Sequence, residues 1–377
     1  MARKLKSDRV LFVATLLLVC TGVVMVYSSS AVMAMERFQQ PHWFLVKQVA
    51  WAVIGLCLLP IIMRIDYRNY RQPAVIWTVL AVAAVALVAV LFAPRVNGAS
   101  RWLGIGALGI QPSELAKLSI IIFLAALLER RMDRINDLGY SLVPIAVVLG
   151  AVVGLVLIQP DLGTAACLVM IAAAMVFAAG ISYRYVAVVA LAAPAVAYLL
   201  VASSEYRWRR VIGFWDPWAD PLGGGWQMIQ SMIAVGTGGI FGRGLMEGVQ
   251  KLFYLPEPHN DFIYAVIAEE LGLLGTTLVL ACFCVIAWRG FRAAVRAPDR
   301  FGAFLAIGLT TMVVFQALFN ISVVLGLLPP KGIPLPFVSA GGSSLLINLV
   351  GIGILLNVAQ HASSSHVVTV AVPAQDA

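Results

Sequence analysis

Residues 255–288 read LPEPHNDFIYAVIAEELGLLGTTLVLACFCVIAW. From Phe262 onward the run exceeds the about 20 apolar residues that cross a roughly 30 Å hydrocarbon layer, with only Glu269 and Glu270 interrupting it. A Pro-rich polar approach thus delivers Asp261 to the mouth of an apolar helix. Composition identifies the medium of that helix. Apolar residues make up 61% of the 377 and charged residues 12%, against about 45–50% and about 25% in a soluble domain. The chain reads as an all-α integral membrane protein.

Working outward, ten apolar stretches lie near 10–30, 45–63, 74–93, 112–128, 141–158, 163–180, 184–202, 262–288, 301–326 and 341–360. They predict ten transmembrane helices, the first an uncleaved span behind a basic amino terminus. Arg3, Lys4, Lys6, Arg9, Arg64, Arg68, Arg71, Arg130, Arg131, Arg134, Arg184, Arg289, Arg292, Arg296 and Arg300 fall at one set of ends. The opposite short loops hold Arg37, Lys47, Arg95, Arg101 and Lys331. The positive-inside rule then makes the first set, and both termini, cytoplasmic. The net charge of +8 needs anionic lipid headgroups, not nucleic acid, to explain it.

The expected domain organisation is a membrane unit over 1–360 and a disordered cytoplasmic tail over 361–377. Between spans 7 and 8 lies a long extracytoplasmic loop, 203–260, rich in Trp, Ile and Met, which reads as structured. Within it Trp226, Ile229 and Ile233 fall at helical spacing, with Gln227 and Gln230 pointing elsewhere, and predict a short helix in the interface. A second outer loop, VNGASRWLGIGALGIQPSE, is also amphipathic. The five cysteines, Cys20, Cys57, Cys167, Cys282 and Cys284, all lie in apolar runs and offer neither a disulfide framework nor zinc spacing.

Intramembrane carboxylates are costly and mark functional sites by default. Five acidic residues sit in a span or at its edge, and each admits two readings. Glu114 precedes Lys117 by one helical turn, as a self-neutralising pair or the wall of a substrate groove. Asp161, in QPDLGT, is a helix cap or a site residue. Glu269 and Glu270 lie about 12–13 Å along the helix from Asp261, which suits internal hydrogen bonding. Asp261 is either a cap for the helix that follows, a role Asn260 could share, or a catalytic group with His259 beside it.

The ordered blocks RWLGIGALGIQPSELAK, QPDLGT, YRWRRVIGFWDPWADPLGGGWQMIQS, GGIFGRGL, QKLFYLPEPHNDFIYAVIAEELG and LLPPKGIPLPFVSAGGSSL strongly resemble the SEDS family of cell-wall glycosyltransferases, ten-span proteins that polymerise lipid II. DPWADPLG and QKLFYLPE look more like its division and sporulation branch than its elongation branch. Two departures stand out: HNDF replaces the family's usual HTDF, and SAGGSS, at 339–344, replaces SYGGSS. The first keeps the aspartate; the second removes the tyrosine.

The resemblance implies that an acceptor sugar 4-hydroxyl attacks the anomeric carbon of a lipid-diphosphate-linked glycan, with inversion to a β-1,4 bond and release of undecaprenyl diphosphate. A sugar hydroxyl needs a positioned base, and the matching residue is Asp261. Diphosphate needs cations as charge builds on its oxygens. The candidates are Arg207 and Arg210, which match the family's YRxxR spacing, with Lys251, Arg101 and Lys331. Glu114, Lys117, Asp161, His259 and Ser343 complete the expected substrate-binding set. A divalent cation, Mg²⁺ or Mn²⁺, is expected to be held mainly through the diphosphate. No SxxK, SDN or KTG set supplies crosslinking, so the implied partners are a class B penicillin-binding protein, other divisome proteins and membrane lipids. The expected setting is the bacterial inner membrane at the division septum. Rival readings are a lipid II flippase, with Glu114, Lys117 and Glu269 lining a path, and a divisome scaffold without catalysis.

Overall fold

The computed structural model describes residues 8–94, 100–104 and 109–369. Arg3, Lys4, Lys6, Arg95, part of the second outer loop and residues 370–377 of the expected tail lie outside the described residues. The described residues are helical or loop apart from one isolated bridge, Leu103 with Ile110. Twelve α-helices follow in order: α1 Arg9–Phe38, α2 Trp43–Ile62, α3 Pro73–Val90, α4 Pro112–Arg131, α5 Val143–Ile158, α6 Leu162–Ala178, α7 Tyr183–Ala202, α8 Glu205–Trp215, α9 Trp226–Gly238, α10 Ile263–Val295, α11 Arg300–Val324 and α12 Gly342–Thr369.

Among the described residues, eight helices are long and apolar enough to cross a membrane: α1, α2, α3, α5 with its preceding turn, α7, α10, α11 and α12. α6 is apolar but has 17 residues, and α4 carries Glu114, Lys117, Glu129, Arg130 and Arg131. Each of the ten apolar stretches is nonetheless helical. Local chemistry sets the starts: Asp8 and Asp299 cap α1 and α11 by accepting from Leu11 and Gly302 N–H at 3.2 and 2.7 Å. Pro73 and Pro112 open α3 and α4, where a missing N–H costs nothing. α4 is the centre of the bundle, buried along most of its length and packed on α3, α6 and α11. α7 buries none of its residues and packs chiefly on α8.

Helix geometry gives the vertical scale. Arg289 donates to Asp8 at 2.6 Å, and at 1.5 Å per residue Ser28 on the unbroken α1 lies about 30 Å further along. Ser28 Oγ donates to Glu270 Oε2 at 2.6 Å. Asn320 is likewise about 30 Å along α11 from Arg300, which pairs with Asp133 at 3.2 Å. These contacts bracket one hydrocarbon thickness.

The span expected over 262–288 is not one straight helix. Gly272, at φ 65° and ψ −160°, breaks α10. Residues 239–244 fill the break: Leu273 and Leu274 N–H donate to Gly239 and Ile240 carbonyls at 2.9 and 3.2 Å, while Arg243 and Gly244 N–H donate to Glu269 and Glu270 carbonyls at 2.9 and 3.1 Å. The distance from Asp261 to Glu270 therefore runs along a short outer arm and does not measure depth.

The predicted helix around Trp226 is present as α9. Ile229 is buried, whereas Ile233 is exposed and Gln230 is buried. Small residues choose the face: Ser231, Ala234 and Gly238 turn inward, and Ser231 Oγ donates to Val324 O at 2.8 Å.

A Cβ at Gly272 would lie 2.3 Å from Gly242 N and 2.5 Å from Ile240 O, at a positive φ that L side chains resist. Gly272→Ala is expected to open the joint and lower the thermal midpoint in detergent by several degrees. An unchanged melting curve would contradict this account of the break.

Candidate active site

Three consecutive carbonyls hold the loop that carries Asp261. His259 O accepts from Ala340 N–H at 2.9 Å, Asn260 O from Ser339 Oγ at 2.6 Å and Asp261 O from Asn320 Nδ2 at 2.7 Å. Leu335 N–H donates to the same Ser339 Oγ at 2.7 Å, and Gln48 Nε2 to Ser339 O at 3.3 Å. The 331–340 loop and the Asp261 loop are thus one unit. The contact at Ala340 uses its backbone, so it survives loss of the family's tyrosine.

The main chain is held but the carboxylate is not. α10 begins at Ile263 without a side-chain cap, and Asn260 Nδ2 donates to Glu257 at 2.7 Å. The capping reading of Asn260 and Asp261 therefore fails. Asp261 is partly exposed, and among the described residues no hydrogen bond engages its carboxylate. Burial, reinforced by Glu257 and opposed by Arg210 and Arg101, pushes its pKa up to about 7. The backbone of Gly332 faces it closely: a Cβ there would lie 2.9 Å from Oδ2.

Cations converge on the same place. Arg101 donates to Gln159 O and Pro160 O at 3.2 and 2.6 Å, Arg207 to Leu200 O at 2.7 Å and Arg210 to Pro330 O at 3.3 Å. Lys331 is lowered to about 8 by burial, then by Arg210 and Arg207, with Asp161 opposing. Arg101, Asp161, Arg207, Arg210, Asp261 and Lys331 therefore share one electrostatic neighbourhood. Asp161 serves as the α6 cap: Thr164 N–H and Oγ1 donate to it at 3.1 and 2.8 Å. Gln111 Nε2 adds a bond at 3.2 Å, and Gln111 N–H donates to Ser343 Oγ at 3.2 Å.

Deeper in the bundle Glu114 and Lys117 pair at 2.9 Å, both buried. Lys117 also donates to Gln316 Oε1 at 2.8 Å, and Gln316 Nε2 donates to Pro334 O at 3.0 Å. The ion pair is thereby tied to the loop above it. His259 is buried against Phe44, ring centroids 4.5 Å apart. Burial pushes its imidazole below the ordinary value, and Nδ1 has no hydrogen-bond partner among the described residues. Lys251 is committed elsewhere, 2.6 Å from Glu270 and 3.1 Å from Ser28. Glu270 also accepts from Met246 N–H at 3.0 Å, and Glu269 from Val249 and Gln250 N–H at 2.8 and 3.1 Å. The paired glutamates are hydrogen-bonded internally, as expected, but their partners lie in the outer loop, which they hold.

Asn320, Gln316 and Ser339 carry this arrangement and received no role from sequence reasoning. Their signal is FQALFN, two carboxamides four residues apart in an apolar run and so on one helix face.

Comparison with known proteins places the geometry among relatives. The chain matches the cell cycle protein family FtsW/RodA/SpoVE over residues 8–364. It is 42% identical over 357 residues to a probable peptidoglycan glycosyltransferase FtsW of Geobacter sulfurreducens, covering 94% of this chain and 95% of that protein. It is also 42% identical over 364 residues to stage V sporulation protein E of Bacillus subtilis, covering 95% and 98%. Among solved structures, it resembles a chain from work on structural coordination of polymerization and crosslinking by a peptidoglycan synthase complex, with TM-score 0.78, 31% identity and 95% and 99% coverage. The Thermus thermophilus rod shape determining protein RodA gives TM-score 0.70, 28% identity and 94% and 97% coverage.

Removing one partner of a buried pair leaves an uncompensated charge, typically at a cost of about 3–5 kcal/mol. Lys251→Met is expected to reduce folded yield and thermal midpoint sharply. Combining it with Glu270→Gln should restore much of the loss, as read by size-exclusion profile and melting. A single variant as stable as the parent would place Lys251 outside the fold's support.

Proposed function

Because the chain belongs to the FtsW/RodA/SpoVE family of cell cycle proteins, we infer that it is a peptidoglycan glycosyltransferase, of the branch that contains FtsW and stage V sporulation protein E. The observation that carries the reading is the carboxylate of Asp261, unbonded and raised in pKa, on a main chain held at three successive carbonyls.

In the proposed reaction the substrate is lipid II. Asp261 accepts the proton of the acceptor 4-hydroxyl as its oxygen attacks the anomeric carbon. The bond to diphosphate breaks on the opposite face, so the α linkage becomes β-1,4 and undecaprenyl diphosphate leaves. Arg101, Arg207, Arg210 and Lys331 take up the charge that develops on the diphosphate oxygens. Among the described residues no group of three His, Cys, Asp or Glu side chains could hold a metal ion. A divalent cation, Mg²⁺ or Mn²⁺, fits this site only as a companion of the diphosphate, where it would neutralise phosphate charge. Glu114 and Lys117 are committed to each other and to Gln316, which weighs against a flippase path through them.

The wider setting belongs to the same reading: ten spans with both termini cytoplasmic, the 203–260 loop outside the bacterial inner membrane, and action at the division septum. A class B penicillin-binding protein would crosslink the glycan, with other divisome proteins assembling alongside.

Asp261→Asn is expected to lower lipid II polymerisation by about 10²–10⁴-fold, with melting and lipid II binding kept. The base works only when ionised, so wild-type activity should fall as pH drops through about 7, well above the ordinary carboxylate range. Near-normal polymerisation by the Asn variant would remove Asp261 from this role; an acid limb near 4 would remove the raised pKa and leave the base.

Topology has its own check. In intact cells an impermeant thiol reagent should label a single cysteine placed at Gly224 and not one placed at Arg131; the reverse pattern would invert the arrangement.

A further inference from the structure

We propose that Asn320 is a positioning residue for the reaction, a role that rests on Asp261 being its base. Asn320 Nδ2 donates to two carbonyls at once, Asp261 O at 2.7 Å and Ile333 O at 2.8 Å. Both partners are acceptors, so the amide nitrogen must face them and the orientation of the carboxamide is fixed by chemistry. The two hydrogens join the loop that carries the carboxylate to the loop that carries Lys331. The join lies beside a close approach, since Ile333 follows Gly332, where a Cβ would lie 2.9 Å from Asp261 Oδ2.

Two further observations distinguish this clamp from ordinary packing. The Asn320 side chain is buried, yet its Oδ1 has no hydrogen-bond partner among the described residues. The side chain thus spends both of its amide hydrogens on main-chain carbonyls of two different loops. Its orientation is also supported from below, because Gln316, one turn earlier, donates to Pro334 O and accepts from Lys117. The face of α11 carrying residues 316 and 320 thus sets the register of Ile333 and Pro334 against Asp261. Ser339 holds the preceding carbonyl, that of Asn260, from the other side. Both amide hydrogens of Asn320 go to main-chain carbonyls, so it acts through the main chain.

The test measures polymerisation of labelled lipid II by the full chain with its transpeptidase partner, across pH, for Asn320→Ala, Asn320→Asp and Asn320→Ser. Misplacement of a catalytic group by about 1 Å can cost about 10²-fold. Asn320→Ala is expected to lose about 10–100-fold in kcat, with a smaller rise in KM because the clamped loop also carries Lys331. Loosening the loops admits water to Asp261, so the acid limb should move from about 7 toward the ordinary carboxylate range. Asn320→Asp, which keeps the shape but repels both carbonyls, should behave like Ala, and Asn320→Ser, with one donor, should fall between. In a double-mutant cycle, Asn320→Ala should add less than about twofold to the loss already caused by Asp261→Asn. An unmoved acid limb, or losses that multiply in the double variant, overturns the role of Asn320 while leaving the base intact. A fully active Asp261→Asn overturns the base itself. Should Asn320→Ala fail to fold, the acid limb of Asn320→Ser decides the same question.

Discussion

A peptide group left unpaired in hydrocarbon costs several kcal/mol, so a membrane helix breaks only where something else completes its hydrogen bonds. α10 breaks at Gly272, and residues 239–244 complete it. The rest of the outer architecture follows from that repair. The completing segment must be held at the boundary, and Glu269 and Glu270 hold it by accepting from the N–H groups of Met246, Val249 and Gln250. Two carboxylates there need cationic or hydroxyl compensation, which Lys251 and Ser28 provide for Glu270. The chain then leaves through LPEPHND and returns as the outer arm of α10, so Asp261 is anchored before and after its own position. A charged cluster that looks like a second site is the foundation of the first.

On the proposed reading, two demands that usually conflict are separated at Asp261. A base must be placed accurately, which asks for bonds, and must remain free to take a proton, which asks for none on its oxygens. Here the bonds fall on the carbonyls of His259, Asn260 and Asp261. The cations follow a similar division. Carbonyl oxygens orient Arg101 and Arg207 without cancelling their charge. Lys331 is held down toward 8 chiefly by burial, with its guanidinium neighbours adding to the shift and Asp161 opposing it.

Hydropathy alone located the helices, because about 20 apolar residues in a row have few other uses. It could not locate the break at Gly272, since a glycine in an apolar run looks the same whether it is packed or bent. The helix α9 was legible from spacing, but its close approach to the bundle is made by the small Ser231, Ala234 and Gly238, which hydropathy does not single out. For Asp261, position at a span mouth after LPEP left cap and catalyst open, and the family resemblance supplied the proposed role of base. Lys251 was illegible as a structural group because one of its partners, Ser28, lies 223 residues away. Gln316 and Asn320 went unweighed because uncharged amides carry no depth penalty large enough to demand an explanation.

The Glu114–Lys117 pair gains its meaning from those two amides. A buried ion pair is weak evidence for stability, since desolvation offsets much of its attraction. Its value lies in what a fixed ammonium can orient. Lys117 holds Gln316 Oε1, which turns Gln316 Nε2 toward Pro334 O. The same loop, one residue earlier, meets Asn320, and Asn320 meets Asp261. Charge deep in the bundle is thus converted, through two carboxamides on one face of α11, into the position of a carboxylate near the outer boundary. The ion pair can serve the site in this way without contacting substrate, and that is why its burial and its connection to Asp261 are compatible.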